Sequence, residues 1–332
     1  MSNFRPKLLF AAGKDAVAGA SYSPKKLMLL HAGISAGVGF LIALLTYFLD
    51  LGMAQAGGLS GMTHLAVLET VQMLLSSLLS ILSPFWALGF VAAAIRLARR
   101  ETAMPHSLLT GLRRWAPALR MLLTQGLIYI GVMTVFAEIG SFIYMLTPLF
   151  QPFNDLMQQL SISGTADIEA LQNLLLEMDF DALLNMALTM GCFLFLPGLI
   201  VIVLLSYRMR LAPYLLMDEP RCGAVYAILM SFRLTKKHSW ELFRLDLHFW
   251  WFYLLDGVIA VLCYGELILP LMGVNLGIDP VLASFLFYAL ALALQVGLYV
   301  WQKPQIFATY ALFYDALLPR QEEEPEETEE TE

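Results

Sequence analysis

Six long, predominantly apolar stretches dominate the chain, at 27–49, 71–95, 121–147, 183–206, 246–272 and 281–302. About 20 such residues in helical conformation cross a hydrocarbon layer roughly 30 Å thick. Composition agrees, with 59% hydrophobic and 14% charged residues and a mean hydropathy of +0.69, where soluble domains carry about a quarter charged residues. The expected fold class is all-α: a polytopic helical membrane protein with six transmembrane helices and additional interfacial amphipathic helices.

The cations give the expected orientation. Lysine and arginine are retained on the cytoplasmic side of short loops. Five precede the first stretch, six lie between the second and third, seven between the fourth and fifth, and two follow the sixth, which accounts for all 20. The intervening segments hold none, and the longest, 148–182, carries Asp155, Asp167, Glu169, Glu177, Asp179 and Asp181. Both termini are therefore expected in the cytoplasm and the protein in the cell membrane. Residues 1–26 form a cytoplasmic segment, 27–318 the membrane domain and 319–332 a disordered acidic tail, since "QEEEPEETEETE" cannot bury a core. Lys7 and Lys14 interrupt any cleavable leader, so the first stretch is expected to remain as a span.

Two hairpins share a pattern. Pro84 precedes Arg96 by twelve residues and Pro197 precedes Arg208 by eleven, and each is followed by a basic pair, a tryptophan and a further arginine. An internal repeat would give this pattern; so would the ordinary placement of cations and prolines at membrane helices. Each proline removes a bond to the carbonyl four residues earlier, at Ser80 and Phe193.

Between the fourth and fifth spans, within 207–245, Val225, Ile228, Leu229 and Phe232 recur at helical spacing among Arg221, Arg233 and Lys237. This predicts a basic amphipathic helix in the inner interface. It is expected to stop near His238, with Ser239 capping the next helix and Glu241 in its first turn. Arg208, Arg210, Arg233, Lys236, Lys237, Trp240 and Arg244 are the candidate contacts to anionic headgroups or to a membrane or cytoplasmic protein partner. Nucleic acid is not an expected partner, because the cations are spread over four segments beside spans. On the opposite side, Thr165 is expected to cap a helix with Ile168, Leu171, Leu175 and Met178 on one face.

Glu138, Asp256 and Glu266 lie inside apolar stretches, where a charged carboxylate costs about 2.5 to 3.5 kcal/mol. With no lysine or arginine expected at their depth, they are expected to be neutral, bonded to groups such as Gln72, Gln125 or Tyr264, or in contact with water or a cation. They form either a proton or cation site or a neutral glue between helices. Asp246, near the inner boundary, is expected to pair with Arg244 or water. Cys192, Cys222 and Cys263 have neither metal-ligand spacing nor a disulfide pattern, and no catalytic motif is present. No cofactor, metal or enzymatic activity is therefore expected.

The stretches "YRMRLAPYLLMDEP" (207–220), "AILMSFRLTKKHSWELFRLDLHFWWF" (227–252) and "YALFYDALL" (310–318) resemble the bacterial integral membrane family catalogued as domain of unknown function 975. Tyr207, Arg208, Ala212-Pro213-Tyr214, Ser231, Lys236, His238, Leu245-Asp246-Leu247 and Phe313-Tyr314 carry the resemblance. It implies a polytopic protein of the bacterial inner membrane and implies no biochemical activity. Two functional readings follow: a non-enzymatic component binding lipid or protein at its inner face, or a small proton- or cation-linked transporter or channel using the intramembrane carboxylates.

Overall fold

The structure, a computed structural model, describes residues 6–55, 59–151, 154, 180–219, 221–265, 277 and 279–318. Glu266, the predicted helix after Thr165 and the acidic tail lie outside the described residues. All regular elements among the described residues are helical, as the apolar runs predict. They are α1 Pro6–Ala18, α2 Pro24–Gln55, α3 Leu59–Ala98, a 3-10 turn Pro105–Leu109, α4 Thr110–Arg113, α5 Trp115–Met145, a 3-10 turn Pro148–Phe150, α6 Phe180–Leu194, α7 Leu196–Met209, α8 Ala212–Asp218, α9 Ala224–Thr235, α10 Ser239–His248, α11 Trp250–Leu262 and α12 Pro280–Leu317.

Five helical segments among the described residues are long and apolar enough to cross a membrane: Pro24–Phe48, Met73–Ala98, Trp115–Met145, Leu196–Asp218 and Leu282–Leu317. The pair α10 and α11 adds a sixth if it is one span bent by 65°. The predicted fifth helix is therefore interrupted, with Phe249 at the bend between the two helices. Large apolar side chains face outward along these helices, among them Leu41, Leu127 and Ile130. Outward apolar surface of this extent suits a lipid solvent better than water.

The chain divides into two compact units, one of residues 1–119 and 211–332, the other of residues 120–210. In the first, α12 packs along α2 and also meets α1, α3 and α11. A core of Leu27, Met28, Phe90, Ala93, Ala103 and Leu108 sits against Tyr299, Val300 and Phe307. Glycine permits the closest approaches. A Cβ on Gly89 would stand 1.9 Å from the Leu108 carbonyl oxygen, and one on Gly111 would stand 2.0 Å from that of Phe85. The backbone of α3 thus rests directly on the segment that turns into α4. The N-terminal α1 docks by the same device, since a Cβ on Gly13 would lie 2.1 Å from the Thr309 hydroxyl of α12.

In the second unit α6 and α7 meet at Phe195, and Pro197 lies in the first turn of α7. The Phe193 carbonyl, which the proline leaves without its usual helical donor, approaches Gly140 of α5, where a Cβ would be 2.0 Å away. Tyr144 closes the contact against Phe193 and Phe150 at 5.8 and 5.7 Å. Pro84, by contrast, lies inside the continuous α3. The two prolines matched in the sequence pattern are not equivalent in the structure.

Candidate functional site: a basic face and a buried carboxylate

Helix α9 buries its small residues. Ala224, Ala227, Ser231 and Thr235 fall on one side together with Ile228, and α9 packs there against α8. The Ser231 hydroxyl accepts the Leu211 N–H at 3.2 Å, satisfying a buried donor at the start of α8. The Thr235 hydroxyl donates back to the Ser231 carbonyl at 2.7 Å. Val225, Tyr226 and Leu229 point outward. This corrects the predicted stripe, because Ile228 turns inward while Val225 and Leu229 remain exposed. Close packing on α8 selects the small side chains for the interface.

Arg233, Lys236, Lys237, Trp240 and Arg244 are all exposed. Trp240 stacks on Phe243 at 5.1 Å, and the Arg244 guanidinium lies 5.4 Å from the Trp240 ring centre. Ser239 does not cap α10 as expected. Its hydroxyl donates to the Thr235 carbonyl at 2.9 Å, and His238 occupies the N-cap position, with Nδ1 2.6 Å from Glu241 Oε2. The other two candidate cations, Arg208 and Arg210, belong to the second unit. Both are half-buried, Arg210 with its guanidinium 5.8 Å from the Tyr207 ring centre.

Asp246 departs from expectation. It is 8% exposed and accepts hydrogen bonds from the hydroxyls of Tyr253, at 3.1 Å, and Tyr310, while Arg244 turns to Trp240. Asp246 thereby ties α10 to α11 and α12 across the bend. Phe10 of α1 packs on Phe249 at 5.3 Å and on His248 at 5.8 Å.

A second polar cluster lies along α12. Gln295, Tyr299 and Lys303 are spaced by four residues and share one helix face. Gln295 Nε2 donates to the Tyr299 hydroxyl at 3.0 Å, and Asp256 of α11 lies within electrostatic range of that hydroxyl. The Lys303 ammonium stands 3.3 Å from the Tyr299 ring centre, within electrostatic range of Asp256 and of His31 on α2. Asp256 Oδ1 is buried without a hydrogen-bond partner. For Asp256, this corrects the expectation that no lysine or arginine stands near the carboxylate. Tyr299 also takes the place near Asp256 expected of Tyr264, which is exposed. Glu138, in the second unit, is exposed on α5.

A third group joins helix ends. Arg99, just past α3, makes two bonds to Asp218 at 2.6 and 2.8 Å and two to Asp315 Oδ1 at 2.8 and 3.3 Å. The bonds to Asp218 and then those to Asp315 raise the Arg99 pKa above its ordinary value. Tyr314 donates to Asp218 at 2.9 Å. Arg114 donates to the Leu216 carbonyl and, at 2.8 Å, to that of Glu219, covering carbonyls at the end of α8. Sequence reasoning missed Arg99, Asp218, Asp315, Tyr299 and Lys303. The available signals were the arginine pair closing the second apolar run and the aspartate inside "YALFYDALL".

These elements define an all-helical protein whose long apolar helices fit a membrane. A family model described as a protein of unknown function, DUF975, matches residues 25–321. The chain belongs to that family. No curated protein and no solved structure matches it.

Proposed function

We propose that this chain is a non-enzymatic component of the bacterial inner membrane that binds anionic lipid headgroups at its cytoplasmic face. In this reading α10 and α11 form one broken span, six spans cross the membrane, and both termini and the acidic tail lie inside. The carrying observation is the outward surface of α9 and α10, where Val225, Tyr226, Leu229, Trp240 and Leu247 stand exposed beside exposed Arg233, Lys236, Lys237 and Arg244. Apolar side chains enter the acyl boundary while the cations meet phosphates. A protein partner at the same face would use the same cations. The test is lipid retention by wild type and by Arg233→Gln/Lys236→Gln/Lys237→Gln. Loss of anionic lipid in the variant supports the assignment, and unchanged retention opposes it.

A second reading, a small proton- or cation-linked transporter, draws support from Asp256 of α11, whose buried carboxylate oxygen Oδ1 has no hydrogen-bond partner and which lies within electrostatic range of Tyr299 and Lys303 of α12. Glu138 and Glu266 remain proposals within that reading.

A further inference from the structure

We propose that a groove between α2, α3 and the turn Pro105–Leu109 binds one anionic phospholipid, an acyl chain lying along its apolar walls and the phosphate met by Lys26 and His106. The inference shares the membrane placement of the lipid-binding reading above and is independent of the cations of α9 and α10.

The groove holds about 380 Å³, within the range of about 300 to 1,000 Å³ typical of small-ligand sites. Leu30 and Ile34, one turn apart on α2, form one wall, Trp86 of α3 forms another, and Leu108 and Leu109 form the floor. That floor is held by the close backbone approach of Gly89 and Leu108, and the Leu108 side chain joins the core with Leu27, Met28 and Phe90. His31, also in the lining, packs on Trp86 and Phe90 with ring centres 6.5 and 6.2 Å apart. The site is therefore preformed, and a ligand pays little to order it.

Leu30, Ile34 and Leu109 are exposed, so the groove opens sideways on the apolar helix surface and a chain enters from the bilayer. A helix of a second copy, about 10 to 12 Å across, is too wide for this volume.

The cations stand at one end. Lys26 is exposed and precedes Leu30 by four residues, on the same face of α2, and helical side chains lean toward the N-terminus. Its stem thus extends away from the groove toward the start of α2. The turn runs back along α3, because Leu108 meets Gly89 while Gly111 meets Phe85. His106, exposed and in the lining, therefore comes before Leu108 on the side where α3 ends. In the orientation proposed above, both groups face the cytoplasmic headgroups. The segments that build the groove, 24–37, 82–98 and 102–114, contain no aspartate or glutamate. Glu101 lines a separate pocket with Asp15 and Arg100. An ammonium donates three N–H groups and an imidazole donates at least one in either protonation state, which matches phosphate oxygens.

The test is native mass spectrometry of the Arg233→Gln/Lys236→Gln/Lys237→Gln protein, released from phosphatidylcholine nanodiscs containing a minority of phosphatidylglycerol. In this background the lipids of α9 and α10 are lost, and one phosphatidylglycerol per chain is expected to remain. Adding Lys26→Gln/His106→Gln should weaken it about tenfold. Leu30→Trp, which fills the groove, should displace it, whereas Leu29→Trp, outside the lining, should not. Circular dichroism checks the fold of each variant, and on the wild-type chain Leu30→Trp should likewise remove one lipid. A background protein carrying no phosphatidylglycerol would overturn the groove and leave the α9–α10 reading standing. Retention that neither Lys26→Gln/His106→Gln nor Leu30→Trp changes would also overturn it. Retention unchanged by the triple substitution but lost in Leu30→Trp would support the groove and overturn the α9–α10 reading. A lipid-free dimer that Leu30→Trp dissociates would make a second copy the occupant and overturn the proposal.

Discussion

The Lys303 ammonium stands 3.3 Å from the centre of the Tyr299 ring, one turn earlier on α12. A cation over an aromatic face gains about 0.5 to 2 kcal/mol, most where water is scarce, and Asp256 lies within electrostatic range of the hydroxyl of the same tyrosine. One side chain therefore lies beside both charges of the cluster. Neutralising Asp256 alone leaves the lysine without its nearby carboxylate. Asp256→Asn is expected to destabilise the protein more than Asp256→Asn/Lys303→Met does, with a coupling of about 0.5 to 3 kcal/mol in a double-mutant cycle. Thermal unfolding in nanodiscs measures it, and simple additivity would contradict the coupling.

Gly89 and Gly111 put two backbones in contact, so a methyl group at either position must push main chain rather than a movable side chain. Gly89→Ala and Gly111→Ala should each cost about 1 to 3 kcal/mol. Gly126→Ala, with nothing within 4 Å of the added carbon, should be neutral or slightly stabilising by helix propensity. Chemical denaturation of the three variants distinguishes these outcomes.

Asp246 serves two tyrosine hydroxyls, and that of Tyr310 is buried with it. Asp246→Ala leaves both without this acceptor and should cost about 1 to 3 kcal/mol. Asp246→Asn keeps an acceptor oxygen and should cost less. Hydrogen exchange concentrated at the α10–α11 bend in the alanine variant is the expected signature; uniform exchange across the chain would count against a hinge role.

Arg99 joins Asp218 and Asp315 at the ends of α8 and α12, yet its side chain is 36% exposed. Solvent weakens such pairs to about 1 kcal/mol or less. The coupling between Arg99→Gln and Asp218→Asn should be of that size and should shrink as salt rises. A salt-independent coupling of several kcal/mol would show that the network is more enclosed than its exposure indicates.

The helical class and most long helices were legible because runs of 20 or more apolar residues have few alternatives. The bend at Phe249 was not, because the apolar run continues through it and only the tertiary contacts of Asp246 and Phe10 mark the place. In α9, hydropathy marks Val225, Ile228, Leu229 and Phe232 as one apolar face in the membrane interface. Val225 and Leu229 are exposed in the structure, but Ile228 turns inward with Ala224, Ala227 and Ser231, whose short side chains permit the approach to α8. Lys303 fell one residue beyond the predicted sixth span, so the sequence placed it at a boundary. Only the continuation of α12 to Leu317 and its packing against α2 and α11 bring that lysine near Asp256.

The central claim is that the exposed cations of α9 and α10 hold anionic lipid. Native mass spectrometry of the protein extracted with its own membrane lipids tests this most directly, comparing wild type with Arg233→Gln/Lys236→Gln/Lys237→Gln. At about 1 kcal/mol per cation near a charged surface, wild type should retain anionic lipid that the variant loses, with zwitterionic lipid unaffected. Equal retention of anionic lipid by both, or a wild-type protein carrying none, would contradict the account.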